Sequence, residues 1–417
     1  MAEYEMPRMT LEERRKYLKR VWPRYIQSDR KGRGALLVEM EQVTGMHRKS
    51  INRLMRSAHQ GSLERKKRSA PRPPTYRKEV NAVVGVVWES LDYICAERLT
   101  PQLLCTARHL ERFGELERVG VALTPQLEEQ LARVSRATVQ RMTSKLRSLG
   151  RANMCLPRRG PERANRTNSA TKGVPMGRIP WQTQEPGHFE VDLVHHCGPS
   201  TQGDYAHTLQ MIDGATGWSE RVAVLGRGQR AMEEGFRRIQ ERVPFTIKEL
   251  HPDNGPEFFN AHMLRFWGEE LTGLKLSRSR PYHKNDNRWV EQKNDTLVRA
   301  YLGNGRLDTA SQVAALNELY DQMWVYYNLF QPVLHLAEKR YMLEEGKMRR
   351  KWDEARTPYE RLKQTGSLPQ EQRHKLDLLY EQTNPRALRL EIYRRLAQLW
   401  RWQARQDCSD GGVKQVA

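Results

Sequence analysis

The chain has 417 residues, enough for two to four domains, and its 71 Lys+Arg against 50 Asp+Glu give a formal charge of +21. That excess points to a polyanionic partner, nucleic acid ahead of an anionic membrane surface. It has no apolar run of about 18 residues to span a bilayer. Residues 1–20 lack the apolar core of a signal peptide, and the five cysteines are scattered with no C-x-x-C pair. The composition therefore argues against a membrane segment, a disulfide framework and a zinc knuckle, and predicts a cytoplasmic protein.

Residues 1–62 hold an amphipathic segment, Ala35 to Met40, followed by Gly45-Met46-His47-Arg48-Lys49-Ser50-Ile51-Asn52-Arg53-Leu54. A similar stretch lies in residues 79–148: Pro125 to Leu131, then Arg133-Val134-Ser135-Arg136-Ala137-Thr138-Val139-Gln140-Arg141-Met142. Both predict helix, tight turn, helix. Gly45 suits a turn with an unusual backbone angle. Ser135 can cap the following helix, and Ile51 and Val139 would pack each second helix on its partner. The pattern resembles the helix-turn-helix of DNA-binding proteins. The outward candidates for DNA contact are His47, Arg48, Lys49, Asn52 and Arg53 in the first unit, and Arg136, Gln140 and Arg141, with Ala137, in the second. Residues 63–78 and 149–187, rich in Pro and basic residues, read as extended linkers.

The pattern then changes. His188 to Val194 alternates, with Phe189, Val191 and Leu193 on one face. Thr208 to Asp213 and Trp218 to Leu225 flank a Gly-Ala-Thr-Gly turn, a hairpin signature. A helix is expected at about 229–242, a strand from Phe245 to Leu250, a helix at about 259–271, a strand at about 274–278 and a helix at about 287–302. Three antiparallel strands, helix, strand, helix, strand, helix is the order of an RNase H-like α/β core, here residues 188–305, with a mixed five-stranded sheet. Residues 306–417 read as mostly helical. Within them 335–370 is strongly charged with little periodicity, and Arg386 to Trp402 is amphipathic.

Three carboxylates stand at the points where such a fold converges. Asp192 lies in the first strand, Asp253 ends the fourth, and Glu291 lies early in the last helix. Phosphoryl transfer on DNA can use two divalent ions about 4 Å apart, and Mg²⁺ asks for oxygen ligands on a rigid frame. Each acid has a plainer use, as a strand-end, turn or solvated helix residue, with Asp286 and Glu257 as rivals for the third place. Asp213, Glu190, His251 and His283 read as structural groups, and His195-His196-Cys197 as a poor zinc site, since neighbours on a strand face opposite ways.

The motifs Phe189-Glu190-Val191-Asp192, His251-Pro252-Asp253-Asn254-Gly255-Pro256-Glu257-Phe258 and Asn285-Asp286-Asn287-Arg288-Trp289-Val290-Glu291-Gln292-Lys293-Asn294 resemble those of retroviral-type integrase cores, and most of all bacterial insertion-sequence transposases that carry that core. The resemblance implies a metal-dependent DNA transposase/integrase with Asp192, Asp253 and Glu291 as catalytic metal ligands. It implies two Mg²⁺ or Mn²⁺ ions per site and water attack that releases a 3′-hydroxyl, which is then joined to target DNA. It also implies Arg288 and Lys293 near the DNA, a homo-oligomer on double-stranded element ends and target with the C-terminal helices as an interface, and a nucleoid-associated bacterial setting. The His/Cys zinc domain and terminal β-barrel of retroviral integrases have no counterpart pattern here. A retired transposase acting as a DNA-binding regulator and a structure-specific nuclease are the alternatives. Whether an accessory ATPase takes part is left open by the residues.

Overall fold

The computed structural model describes residues 9–59, 75–150, 176–177, 179, 183–270, 273–280, 286–342 and 347–410. Most of both expected linkers, and His283, lie outside these. The chain divides into two compact units, Met1–Thr75 and Tyr76–Ala417.

The first unit is a three-helix bundle: α1 Leu11–Gln27, α2 Arg30–Thr44 and α3 Arg48–His59. Thr10 and Glu13 form a reciprocal capping box at the start of α1, and Asp29 caps α2. Gly45 ends α2 in the left-handed region, at φ 62°, and lets the chain turn into α3. Leu18, Met40 and Ile51 are fully buried between the helices, so Ile51 packs α3 on its partners.

The second unit begins with α4 Lys78–Ser90, α5 Ala96–Glu111, α6 Pro125–Arg133 and α7 Arg136–Ser148. Ser135 accepts from the Thr138 amide and caps α7, and Val139 is buried beneath it. These helices share one continuous apolar core with the sheet that follows, running from Val80, Leu99 and Leu131 to Phe189, Leu209 and Phe236.

The sheet is built from β2 His188–His195, β3 Ala206–Asp213, β4 Ser219–Leu225, β5 Glu249–Pro252 and β6 Lys275–Leu276, in the order β4-β3-β2-β5-β6. The first three strands are antiparallel, while β5 and β6 run parallel to β2. That order and sense, with α8 Gln229–Arg242 and α9 Ala261–Glu270 between the later strands, is the RNase H-like fold. A further short pair joins β1 Met176–Gly177 to β7 Arg278–Ser279, so the end of the second expected linker is hydrogen-bonded to the core. β5 starts later than the expected Phe245, because the Lys248 and Glu249 amides both donate to the Gly187 carbonyl just before β2 begins.

The late helix is not uniform. α10 Arg288–Lys293 passes into a π-helical turn, Asn294–Arg299, and then α11 Ala300–Leu302. Beyond it come α12 Ala310–Val325, the hairpin β8 Leu336–Met342 and β9 Lys347–Trp352, then α13 Pro358–Thr365, α14 Gln370–Gln382 and α15 Pro385–Asp410. The charged stretch read as featureless thus contains a two-stranded ribbon. On α15, Leu388, Ile392, Leu396 and Leu399 pack into the core with Leu316, Leu319 and Tyr320 of α12. Asp92 ties the same helix to the site region, accepting from Arg389 (2.8 Å), Tyr393 (3.0 Å) and Tyr301 (2.6 Å).

Glu249 pins the parallel part of the sheet. Its carboxylate meets His188 Nδ1 of β2 at 2.7 Å, accepts from Ser277 Oγ at 2.6 Å and pairs with Lys275 of β6 at 3.1 Å. Burial opposes the charge, but these partners outweigh it and hold the carboxyl down to about 2. A depressed carboxyl stabilises the fold above its unfolded value and loses that contribution as pH falls toward about 2. Glu249→Gln should therefore cost about 1–3 kcal/mol at pH 7, with the gap to the parent narrowing as pH falls toward 2. Urea denaturation at both ends of that range checks it; an equal gap at both would assign the cost to packing.

Candidate active site

Strand register brings the first two carboxylates together. In the parallel β2–β5 pair Val191 lies opposite Pro252, so the next positions in register are Asp192 and Asp253. Adjacent strands run about 4.8 Å apart, which leaves the two side chains as neighbours. Asp192 Oδ1 accepts from the Leu193 amide (2.8 Å), and Asp253 Oδ1 from the Gly255 amide (2.9 Å). The turn after Asp253 is locked: Asn254 donates to the Ser279 carbonyl and accepts from Arg278, both at 2.9 Å.

Helix α10 is held to the same strand at two points. Glu190, fully buried, accepts the Trp289 and Val290 amides at 2.7 and 3.0 Å, and so caps the start of the helix from across the sheet. Two residues along the same face of β2, Asp192 Oδ2 accepts from Asn294 Nδ2 at 2.6 Å, where the π-helical turn begins. Glu291 lies between these anchors, one turn before Asn294 and exposed. The Trp289 ring packs on the β3–β4 turn so closely that a Cβ at Gly214 would come within 2.6 Å of it. Val290, Leu297 and Tyr301 are buried, as the expected packing face requires.

The electrostatics are those of crowded acids. Burial, then the charges of Glu291 and Glu257, push Asp192 up to about 6, against the Leu193 and Asn294 hydrogen bonds. Burial, then the Asp192 and Glu257 charges, push Asp253 up to about 7, against the Gly255 amide. Burial is the larger cause in both, and the neighbouring acids add to it. Glu257, a rival for the third place in the sequence that also read as a support of the turn, belongs to this group. A Cβ at Gly255 would lie 2.7 Å from the Glu257 carboxyl and 3.0 Å from Asp253 Oδ1, so both flank one spot. Glu257 Oε2 is buried without a hydrogen bond. No spacing rule singles out Glu257, because only the fold of the 253–258 turn swings it back.

The other rivals are engaged elsewhere. Asp286 is fully buried and bidentate with Arg280 at 2.8 Å, closing the ends of the 280–286 loop. Asp213 accepts from the Gly187 and His188 amides and from Thr216. His251 is buried against Ser277 at 2.7 Å, and burial keeps it neutral, at about 4. His196 meets Thr208 at 2.7 Å and is held neutral by burial.

The donor chemistry around Asp192 and Asp253 fits a hard divalent cation: oxygen only, anionic, partly desolvated, on rigid strand ends. Among the described residues no three His, Cys, Asp or Glu side chains yet stand close enough together to hold a metal ion. Asp192 and Asp253 would supply the first ligands, and Glu291 or Glu257 would have to turn in to complete the set.

Two of the expected DNA contacts are placed otherwise. The Arg288 side chain is largely covered: its guanidinium stacks 3.6 Å over the Trp289 ring, donates to the Ile179 carbonyl and lies 3.8 Å from Glu190. It braces the helix instead of facing solvent. Lys293 is half-buried and turned toward Arg98 and Arg221, inside the fold; burial and those two charges lower it to about 7. Both sit past the start of a helix whose buried face is wider than the spacing suggested. By contrast, His47, Lys49 and Arg53 are exposed on and beside α3, with Arg48 and Asn52 half-exposed. Arg136, Gln140 and Arg141 are exposed on α7, Arg136 reaching Glu97 at 3.5 Å.

The strand order, with two aspartates at neighbouring strand ends and a helix capped from the same strand, defines an RNase H-like core. No family model matches the chain. It is 34% identical over 340 residues to the uncharacterized protein y4rM of Sinorhizobium fredii (strain NBRC 101917 / NGR234), across 80% of this chain and 90% of that protein. The chain belongs to the same protein family as y4rM. Among solved structures it is similar to the catalytic core domain of BIV integrase, with a TM-score of 0.27 and 18% identity over 43% of this chain and 95% of that one. The fold assignment rests on the sheet order itself and not on that distant likeness.

If Glu190 seats the helix, Glu190→Ala leaves two buried amides unsatisfied and loosens α10. Hydrogen exchange at Trp289 and Val290 should rise well above the parent while β3 and β4 stay protected. Unchanged exchange at those amides would show that Trp289 packing alone holds the helix.

Proposed function

We propose that the protein is a DNA transposase/integrase: a polynucleotidyl transferase that cuts the ends of a DNA element and joins the 3′ ends to target DNA. The observation that carries this reading is the pairing of Asp192 with Asp253 at the ends of neighbouring parallel strands, with Glu291 presented beside them on a helix capped from the same strand. Crowded carboxylates cost stability unless they hold something cationic. A pair of Mg²⁺ or Mn²⁺ ions bound there would activate the attacking oxygen and stabilise the leaving one.

The chain's own residues have definable tasks. Asp192, fixed by Leu193 and Asn294, and Asp253, fixed by Gly255, hold their carboxylates at neighbouring strand ends. Glu190 and Trp289 hold the helix that offers Glu291. The outward faces of α3 and α7, with Lys49, Arg53, Gln140 and Arg141, are the surfaces for reading element ends. Transposition brings two ends together, so a homo-oligomer on DNA belongs to the reading.

The test uses duplexes carrying the terminal sequences that flank the gene. With Mg²⁺ the parent should nick them and join the 3′ ends to plasmid. Asp192→Asn, Asp253→Asn and Glu291→Gln proteins should bind the same duplexes and lose cleavage by a factor of at least about 10³. Mutants that still cut would remove the site assignment. A parent that binds ends but never cuts would point to a regulator, and one that cuts only junctions or hybrids to a structure-specific nuclease.

A second outcome needs no activity. Because Asp192 and Asp253 are raised, these two groups hold more protons in the folded metal-free protein than in the unfolded chain between about pH 4 and 7. Their contribution to stability is greatest below the unfolded carboxyl values and is lost as pH rises through about 6 to 7. Mn²⁺ should raise Tm at pH 7.5 (about neutral, above both values) and far less near pH 5. Asp192→Asn should stabilise the metal-free protein at neutral pH and abolish the Mn²⁺ response. A response retained in Asp192→Asn would place the ion elsewhere.

A further inference from the structure

The ribbon β8–β9 carries an arrangement that folding alone does not favour. Its register sets Lys339 opposite Arg350 and, one step along, Arg340 opposite Arg349. Directly opposed residues share a face of the ribbon, so each face carries a cation–cation pair. Like charges placed this way are destabilising. Lys351 adds to the face that holds Arg340 and Arg349, and Glu338, which pairs with Arg340, lies on that face too. Tyr341 (57% exposed) and Met348 (46%) oppose each other beside the Lys339–Arg350 pair, and Trp352 (49%) lies at the base.

The base is firmly held. The His335 amide donates to Asp353 Oδ1 at 2.7 Å, the Asp353 amide to the His335 carbonyl at 3.0 Å, and Arg361 pairs with Asp353 at 2.7 Å. An antiparallel bridge joins Val333 to Arg356 just below. A rigidly rooted ribbon with cations on both faces and exposed aromatic and thioether side chains matches a polyanion that offers stacked rings and grooves. A two-stranded β-ribbon is of a width that the DNA major groove admits.

We propose that the β8–β9 ribbon is a DNA-binding arm that lies against the phosphates of duplex DNA, with Lys339, Arg340, Arg349 and Arg350 as its principal contacts. Phosphates bound against each pair offset the repulsion between its two cations. The contacts are to the backbone and position the duplex without reading its sequence. The inference rests on the proposed function only in taking DNA as the polyanion.

The test titrates the full chain with a mixed-sequence linear duplex across a salt series. Each lost phosphate contact lowers the slope of log affinity against log salt by about 0.9. Lys339→Ala/Arg340→Ala/Arg349→Ala/Arg350→Ala together should flatten the slope by about 3 to 4 and weaken binding at least about tenfold at low salt. Lys339→Ala/Arg349→Ala, which removes one cation of each pair, should flatten it by about 2. Both variants should melt at or above the parent temperature, since repulsion has been removed. Unchanged slopes in the two variants overturn the inference, as does a loss confined to a variant that melts below the parent. Anionic phosphatidylserine vesicles form the comparison: a variant that loses vesicle binding and keeps DNA binding also overturns it. Normal DNA binding by the variants alongside a parent that cuts ends defeats this inference alone. Weakened binding by the variants alongside a parent that never cuts defeats the proposed function alone.

Discussion

The site depends on one strand holding one helix at two places. Glu190 and Asp192 are two residues apart on β2 and therefore share a face. The first takes the amides at the start of α10, and the second takes Asn294 where the helix changes pitch. Without the cap, the helix start would be a buried set of unpaired donors. Without Asn294, Asp192 would lose the donor on its second oxygen. The two anchors fix the stretch between them, and Glu291 is in that stretch.

The opposite face of β2 explains why the arrangement is stable. Phe189, Val191 and Leu193 are in the core with Phe236 and Ile239 of α8, and β5 is clamped alongside through Glu249, His188 and Ser277. A register slip of one residue in the parallel pair would separate Asp192 from Asp253 and turn one of them to the wrong face. The π-helical turn at Asn294–Arg299 fits the same logic, since such turns often mark sites where a helix must present a side chain out of its regular path. The crowding of acids that results is a cost, met by the surrounding fold.

Much of this was legible in the sequence for physical reasons. The alternation from His188 to Val194 marks a half-buried strand, and the Gly-Ala-Thr-Gly turn marks its hairpin partners, so the sheet and the positions of Asp192 and Asp253 followed from period and punctuation. Ser135 and Gly45 sit where helices start and stop, and they do so in the structure. What was not legible depended on side chains meeting across the fold. Arg288 and Lys293 look like surface cations on a helical wheel, yet one braces Glu190 and the other faces Arg98 and Arg221. Glu257 looks like a turn residue, yet it joins the acids. The ribbon at 336–352 lacked an alternating apolar pattern because neither of its faces is buried in a core, and so periodicity could not find it.

Asp192 and Asp253 are proposed to form one divalent-cation site, and the anomalous difference map of crystals of the full chain soaked in Mn²⁺ tests this directly. Density is expected between the Asp192 and Asp253 carboxylates, with Glu291 or Glu257 drawn in toward it. An empty position there in a folded, Mn²⁺-saturated crystal, or density held by other residues, would contradict it.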